Sequence, residues 1–400
     1  MLRSFGDDSA LSFAIVIVVK TLPAVIAPLS GVLADRLPRV RLMVTADLLR
    51  AVVVLMMVAL AFYPSVPVLY GLVVVQTMLS TIFDPARTAM LPDVVAAEDL
   101  GVANALDAAS WSTMLAIGAA MGGLLTGWLG WQATLLVDAA SYLISAGLLV
   151  GIAEPLRTLP ARKMVGLMDY LGINDMMDGA RFMAQRPRLW TLALVKPMWQ
   201  LAGARTLLLT LLAETVFAVA GWPMFAVTVL YVSRGLGTGL GPILARRLAG
   251  HSKVAMERAI GWGMLTAAIF YAGVGLAPNL WSAAVFVVLA HLGGATIWVF
   301  STIRLQQLTP TEVRGRVFAV EHAAFTLVMA GANGVFGTIG DALPTWLSLS
   351  WDVPDAVGLS ARVLNVALGV LTLLPWIFWV MRGWILGWGD GNHDLEESAK

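Results

Sequence analysis

The sequence predicts an all-α integral membrane protein with two pseudo-symmetric helical bundles around a central cavity. Hydrophobic residues make up 59% of the 400-residue chain and charged residues only 13%, and the mean hydropathy is +0.81. A soluble domain could not bury so much apolar surface, whereas a lipid bilayer accepts it. The pattern Leu-x-x-x-Leu-Ala-x-Arg-Leu occurs at 29–37 and again at 240–248, each time after a long apolar run. This repeat indicates two related halves.

Eleven apolar segments are expected to cross the bilayer, because about 20 helical residues span its hydrocarbon core. Charged or Pro/Gly-rich breaks bound them at 11–33, 42–62, 66–84, 101–128, 132–152, 189–213, 222–248, 259–276, 280–303, 317–340 and 358–382. The repeat leaves the span at 189–213 without a counterpart in the first half. We therefore expect a twelve-helix plan without its first helix, owing to a start upstream of this sequence, to a second polypeptide or to loss of that helix.

The two halves are predicted at residues 1–155, with five spans, and 189–390, with six spans. A basic linker, 156–188, joins them, and a short tail follows at 391–400. Most of the 26 lysines and arginines fall on the same side as the linker and the tail. The positive-inside rule makes this side, including the C-terminus, cytoplasmic. We expect the protein in the inner (plasma) membrane.

The residue inventory argues against several classes of function. The sequence has neither a Gly-x-x-x-x-Gly-Lys-(Ser/Thr) phosphate loop nor a His-Glu-x-x-His zinc motif. It contains no cysteine, and its net charge of +1 gives no indication of a nucleic-acid partner. We therefore expect a protein that is not an enzyme and that has no cofactor, no metal site and no nucleic-acid partner.

A charged motif follows the first predicted span and reads Gly31-Val-Leu-Ala-Asp35-Arg36-Leu-Pro38-Arg39-Val-Arg41. It resembles motif A of the major facilitator superfamily, Gly-x-Leu-x-Asp-Arg-x-Gly-Arg-x-(Arg/Lys), with Pro38 in place of a glycine. The segments 46–50, 85–93 and 103–106 resemble the branch of macrolide and siderophore exporters.

This resemblance implies a monomeric secondary active transporter that exports amphipathic small molecules by alternating access, with proton antiport. Drugs, macrolides and siderophore-like compounds are the implied substrates. Two alternatives stay open at this point: a lipid or lysophospholipid flippase, for which membrane lipids are the substrate, and a non-transporting membrane scaffold or assembly protein.

Asp35 is the expected gating residue. Its carboxylate closes a span at the cytoplasmic surface, where it can face the positive N-terminal end of another helix. The resemblance implies that this partner helix is the eleventh of the family plan, which begins here near Arg316, with Arg87 as an additional partner. A latch of about 1–3 kcal/mol is enough to bias an alternating-access equilibrium. The arginines of the motif also fix the topology.

Three glycines resemble the end of the antiporter motif C, Gly-Pro-x-x-Gly-Gly. They are Gly118, Gly122 and Gly123, with Ala119 in place of the proline. Glycines at this spacing let helices approach closely, and ordinary helix packing explains them almost as well. The span at 66–84 contains no arginine, which weakens the expectation of proton coupling.

Ionisable residues at bilayer depth are costly and mark pathways or internal ion pairs. Asp107 lies in a span that should border the cavity, and His322 is its repeat partner. Asp47 and Asp138 are expected in structural pairs instead. Aromatic residues with sparse polar groups suit amphipathic compounds. For cationic side chains in the cavity two interpretations stay open: attraction of an anionic group of the substrate, or pairing and snorkelling alone. The candidate proton or substrate residues are Lys20, Asp107, Lys196, Gln200, Arg234 and His322.

Overall fold

The computed structural model of the protein describes residues 9–21, 37–95, 100–152, 167–170, 173–222, 224–249, 252–351 and 353–385. Three residues of the predicted gating motif, Gly31, Asp35 and Arg36, lie outside these ranges. Lys20 and Asp107 lie on helices, and their side chains fall outside the described part.

Every described element is helical. The helices are α1 (Ala10–Thr21), α2 (Arg39–Ala59), α3 (Val66–Val94), α4 (Leu100–Val150), α5 (Leu167–Tyr170), α6 (Ile173–Ala184), α7 (Pro187–Trp199), α8 (Arg205–Thr215), α9 (Phe225–Ala249), α10 (Lys253–Leu276), α11 (Leu280–Leu308), α12 (Thr311–Trp351), α13 (Ala356–Leu371) and α14 (Leu373–Ile385). A single 3-10 turn, Gln200–Ala202, separates α7 from α8.

Helix α4 is a hairpin of two spans. Gly130 has φ 81° and ψ 168°, a left-handed conformation that glycine adopts without strain, and it divides the helix into two arms. The hydroxyl oxygens of Thr126 and Thr134 lie 3.0 Å apart. Residues eight positions apart would be about 12 Å apart along a straight helix. The chain therefore turns back at Gly130, where the sequence predicts a loop between two spans.

The helices account for the eleven predicted spans. Seven stretches of the described residues are long and apolar enough to cross a membrane. Helix α1, the first arm of the α4 hairpin, the broken pair α7 and α8, and α9 supply the other four. The predicted spans at 66–84 and 317–340 stop short of the true helix ends, since α3 continues to Val94 and α12 begins at Thr311. The predicted boundaries lie at charged residues, and several of these charged residues lie inside the helices.

The helices pack as two groups with contacts between them. In the first group α2 packs against α3 and α4, and in the second α10 packs against α11 and α13. Contacts between the groups run from α1 to α12 and from α4 to α9. The first half therefore contacts the second mainly through α1 and α4, and the second half contacts the first mainly through α9 and α12.

A buried ion network joins four helices of the second bundle. The Glu257 carboxylate of α10 accepts hydrogen bonds from Arg188 of α7, at 2.9 and 3.1 Å, and from Arg304 of α11, at 2.8 and 2.9 Å. The indole of Trp379, on α14, donates to the Glu257 backbone oxygen at 3.1 Å. Arg304 is fully buried, although the sequence predicts that it lies in a loop after the span at 280–303. One carboxylate thus serves two buried cations.

Glu257→Gln should destabilise the protein by about 3–5 kcal/mol, because it removes the charge of the buried carboxylate that accepts from Arg188 and Arg304. The free energy of unfolding in detergent measures this loss. Arg181→Gln is the matched control, because it breaks only the exposed Asp178–Arg181 pair and should change stability by less than about 1 kcal/mol. Equal stability of the two variants would contradict this role of the network.

Candidate functional site

The sixth span is broken inside the second bundle. Helix α7 contains Pro197 and ends at Trp199, and α8 begins at Arg205. A break in apolar surroundings leaves backbone carbonyls without helical partners, and each such group is costly. Arg205 donates to the carbonyl oxygens of Ala202, at 2.6 Å, and Trp199, at 3.3 Å. Its guanidinium therefore satisfies two carbonyl oxygens at the break.

Gln200 and Trp199 complete the surroundings of Arg205. The guanidinium also donates to the side-chain oxygen of Gln200, and it lies 3.9 Å from the centroid of the Trp199 ring. Both Gln200 and Arg205 are buried. The predicted site residue Gln200 thus supports the helix break, and its carbonyl oxygen is engaged with the arginine.

Lys196 forms an ion pair with Glu321 across the second bundle. The Lys196 Nζ atom, on α7, lies 3.1 Å from Oε1 of Glu321, on α12. The two side chains are only 5% and 4% exposed. The ammonium also lies 4.5 Å from the centroid of the Trp298 ring, within cation–π distance. Removing either charge would leave the other one buried and unpaired.

Aromatic rings surround this ion pair. Trp298 packs edge-on against Phe325 with centroids 5.3 Å apart, and the ring of His322 stacks on Phe325 at 6.1 Å. Phe318 lies 5.9 Å from the Lys196 ammonium. We call Lys196, Glu321, Trp298, His322 and Phe325 the ion-pair cluster.

Arg234 belongs to a second polar group on α8, α9, α10 and α11. It donates to the Thr206 hydroxyl at 2.7 Å. Nearby, the Tyr271 hydroxyl and His291 Nε2 lie 3.3 Å apart, and His291 Nδ1 lies 2.9 Å from the Val287 carbonyl oxygen. Within the described residues, neither Arg205 nor Arg234 has a carboxylate within ion-pair distance. These two cations leave a positive potential beside the break.

The structure brings together four of the six predicted proton or substrate residues in the second bundle. Lys196 and His322 lie in the ion-pair cluster, Gln200 lies at the helix break, and Arg234 lies in the neighbouring polar group. Sequence reasoning missed Glu321, because the predicted span began at 317 and placed this residue near the membrane surface. Helix α12 begins at Thr311, so Glu321 lies almost three turns inside it.

The first bundle has its own buried pair. Asp47 and Arg50, both on α2, form an ion pair with 3.4 Å between Oδ1 and Nη1. Arg50 also donates to the Tyr142 hydroxyl at 3.0 Å, as does the amide of Gln76 at 3.1 Å. This arrangement agrees with the structural pairing expected for Asp47.

The described arginines of the predicted gating motif differ in burial. Arg39 is buried, whereas Arg41 and Arg87 are exposed. At the start of α12, Arg316 pairs with two carboxylates of the linker helix α6: Asp175 at 3.1 Å and Asp178 at 3.7 Å. The sequence does not predict this contact between the linker helix and the start of α12. The contact expected for Asp35 remains a prediction, because Asp35 lies outside the described residues.

Gly123 lies at the contact between the two bundles. A Cβ atom on Gly123 would overlap the side chain of Thr228 on α9, whereas Cβ atoms on Gly118 and Gly122 would meet nothing within 4 Å. Of the three predicted glycines, Gly123 therefore has a packing reason to lack a side chain.

The family assignment follows from this fold together with the comparisons. The model of the Major Facilitator Superfamily matches residues 1–333. The chain belongs to this superfamily. The relationship to the drug-exporter branch, as inferred from motif A and its neighbouring segments, is confirmed by the relatives described next, and so is the fold class of an all-α membrane protein with about eleven spans.

The similar proteins include named exporters. The putative bacilysin exporter BacE of Bacillus subtilis is 37% identical over 136 residues, which is 33% of either chain, so the chain spans about a third of the length of this relative. The macrolide efflux protein A of Enterococcus faecalis is 24% identical over 76% of this chain and 94% of its own. The uncharacterized MFS-type transporter YfiS of Bacillus subtilis (strain 168) is 23% identical over 92% of this chain and 85% of its own.

Solved structures show the same fold at low sequence identity. The nucleoside transporter NupG has a TM-score of 0.71 at 10% identity and covers 96% of this chain and 93% of its own. A bacterial homolog of the human lysosomal transporter Spinster, in an inward-facing and unoccupied conformation, has a TM-score of 0.67 at 15% identity, covering 93% of this chain and 95% of its own.

Gly123→Ala should destabilise the contact between the bundles by about 1–3 kcal/mol, because the added methyl group overlaps Thr228. The thermal unfolding midpoint of the purified protein measures the loss. Gly122→Ala is the control, since its methyl group enters open space one residue away. Helix propensity alone would raise the midpoint in both variants, so an equal change in the two would contradict a specific contact of Gly123 with α9.

Proposed function

We propose that the protein is a secondary active exporter of amphipathic small molecules that works by alternating access with proton antiport. The observation that carries this proposal is the buried Lys196–Glu321 ion pair beside the broken span. Two charges at this depth need each other, so anything that neutralises one of them changes the contact between α7 and α12. The exporters among the relatives support outward transport.

The composition of the ion-pair cluster supports an amphipathic substrate. Trp298 and Phe325 of the cluster and the neighbouring Phe318 offer aromatic surface, and the polar groups around them are few. Sites of this kind bind organic compounds through apolar contact and use isolated polar groups for orientation. The positive potential of Arg205 and Arg234 favours a substrate with an anionic group.

The ion pair offers a route for coupling to protons. A proton on the Glu321 carboxylate would cancel its charge and release the Lys196 ammonium. A substrate group that donates a hydrogen bond to the ionised Glu321 carboxylate would compete with this proton, and protonation of Glu321 would expel it. Because the same carboxylate cannot serve both partners at once, proton and substrate would bind in alternation.

The linker helix α6 is proposed to cooperate with motif A in closing the cytoplasmic side. Its two carboxylates contact Arg316 at the start of α12, the helix end assigned as the partner of Asp35. Met183 of α6 and Val317 of α12 are fully buried in one apolar cluster. Release of α6 would therefore uncover the start of α12. The membrane is proposed to be the inner (plasma) membrane, with the C-terminus cytoplasmic.

Glu321→Gln should abolish export that depends on the proton gradient while downhill movement of the substrate continues, because the glutamine cannot exchange a proton. Exporter-deficient cells loaded with amphipathic dyes, macrolides or siderophores report accumulation with and without a protonophore. Export by the wild type is expected to fall at least about tenfold in this variant.

Asp355→Asn is the control for this experiment. Asp355 is an N-cap that accepts from the Gly358 amide at 2.9 Å, and asparagine caps equally well. It should export like the wild type. Protonophore-sensitive export by Glu321→Gln at the wild-type rate would refute the coupling role, and no export of any panel compound by the wild type would refute the substrate class.

Asp175→Asn combined with Asp178→Asn should loosen α6, because it removes both carboxylates that face Arg316. These groups are partly exposed, and each pair contributes about 0.2–1 kcal/mol, so accessibility under α6 should rise up to about thirtyfold. The chain has no cysteine, so Val317→Cys reports this directly through its rate of thiol labelling.

Gly315→Cys provides the reference for reagent access, because Gly315 is exposed and a Cβ there meets nothing within 4 Å. Its labelling rate should be the same with and without the two asparagines. An unchanged labelling rate at Val317→Cys would mean that these carboxylates do not hold α6 in place.

A further inference from the structure

Two open grooves flank α10 near its cytoplasmic end. The wider groove, about 550 Å³, lies between α9, α10 and α11, and the narrower one, about 280 Å³, lies between α10 and α14. Arg258 and Trp262, one helical turn apart, line both grooves and form a ridge between them. Both grooves are lined mainly by apolar side chains.

This side of α10 faces the bilayer. Trp262, Ile269 and Leu276, at intervals of seven residues, are 67%, 54% and 71% exposed. In a helix this spacing places them in one stripe. An apolar stripe of this length on a membrane helix contacts lipid chains. The grooves are therefore separate from the ion-pair cluster, which lies on α7, α11 and α12 and shares no lining residue with them.

The charge at the cytoplasmic end of the grooves is positive. Arg246 and Arg247 lie in the last turn of α9, and Lys253 begins α10. Within the described residues, the Arg258 guanidinium has no ion-pair or hydrogen-bond partner. The adjacent acid, Glu257, is buried and bonded to Arg188 and Arg304, so its charge is already matched.

We propose that the two grooves hold the acyl chains of one anionic diacyl phospholipid from the cytoplasmic leaflet, with its phosphate on Arg258. A guanidinium can donate two parallel hydrogen bonds to a phosphate. Basic sites between membrane helices on the cytoplasmic side are suited to anionic headgroups. The ridge separates the two chains, and Trp262 lies one turn deeper, at the level where indole rings favour the membrane interface. A lipid bound at this site would stabilise the packing of α9, α11 and α14 against α10.

The test uses the purified full chain in detergent and two phospholipids with identical dioleoyl chains. Phosphatidylglycerol should raise the thermal unfolding midpoint saturably, because a ligand that binds only the folded state stabilises it. Phosphatidylcholine should have little effect. Native mass spectrometry should detect one retained phosphatidylglycerol per chain. Equal effects of the two lipids would overturn the proposal.

Arg258→Ala should weaken the response to phosphatidylglycerol about tenfold, and Arg181→Ala, which removes an exposed arginine elsewhere on the cytoplasmic side, should leave it unchanged. Thr266→Trp gives a second, independent variant, because it fills the wider groove without changing charge. A wild-type response in both Arg258→Ala and Thr266→Trp would overturn the site. Inorganic phosphate at the same ionic strength should not reproduce the shift, and an equal shift with phosphate would overturn the role of the acyl chains.

Discussion

A charge or a free backbone carbonyl inside a bilayer must find its partner within the protein, and the second bundle is organised by this constraint. The break between α7 and α8 is stabilised by Arg205, which donates to the carbonyls of Trp199 and Ala202. One turn earlier, Lys196 lies at depth only because Glu321 of α12 lies 3.1 Å away. The irregular backbone and the buried charges thus depend on the same short segment.

The two buried ion sites of the second bundle have different characters. Glu257 is held by two arginines and a network of hydrogen bonds, so no single partner can leave without cost. Lys196 and Glu321 have one ionic contact with each other and aromatic neighbours around the ammonium. A site that several groups hold suits a fixed joint between helices. A pair with one contact, between the broken span and α12, is better suited to opening and closing.

The sequence predicts the class, the number of spans and most of their centres, because apolar length and the placement of charges are local properties. Pairing between distant residues is not local. The sequence identifies Lys196 as a buried cation, but the boundary predicted at 317 places its partner Glu321 near the membrane surface. Arg304 is likewise predicted in a loop, although it is fully buried. Gly122 and Gly123 are equivalent in the sequence, and only the rotation of α4 against α9 separates them. The contact of α6 with Arg316 likewise requires the tertiary fold.

The most direct test of the role of the ion pair is the charge exchange Lys196→Glu with Glu321→Lys, measured as export by purified protein in proteoliposomes with an imposed pH gradient. Each single substitution places two like charges together and should abolish export, whereas the double substitution restores opposite charges and should recover a substantial part of it. A double variant that folds like the wild type but exports no better than the single variants would contradict the account, as would a fully active single variant.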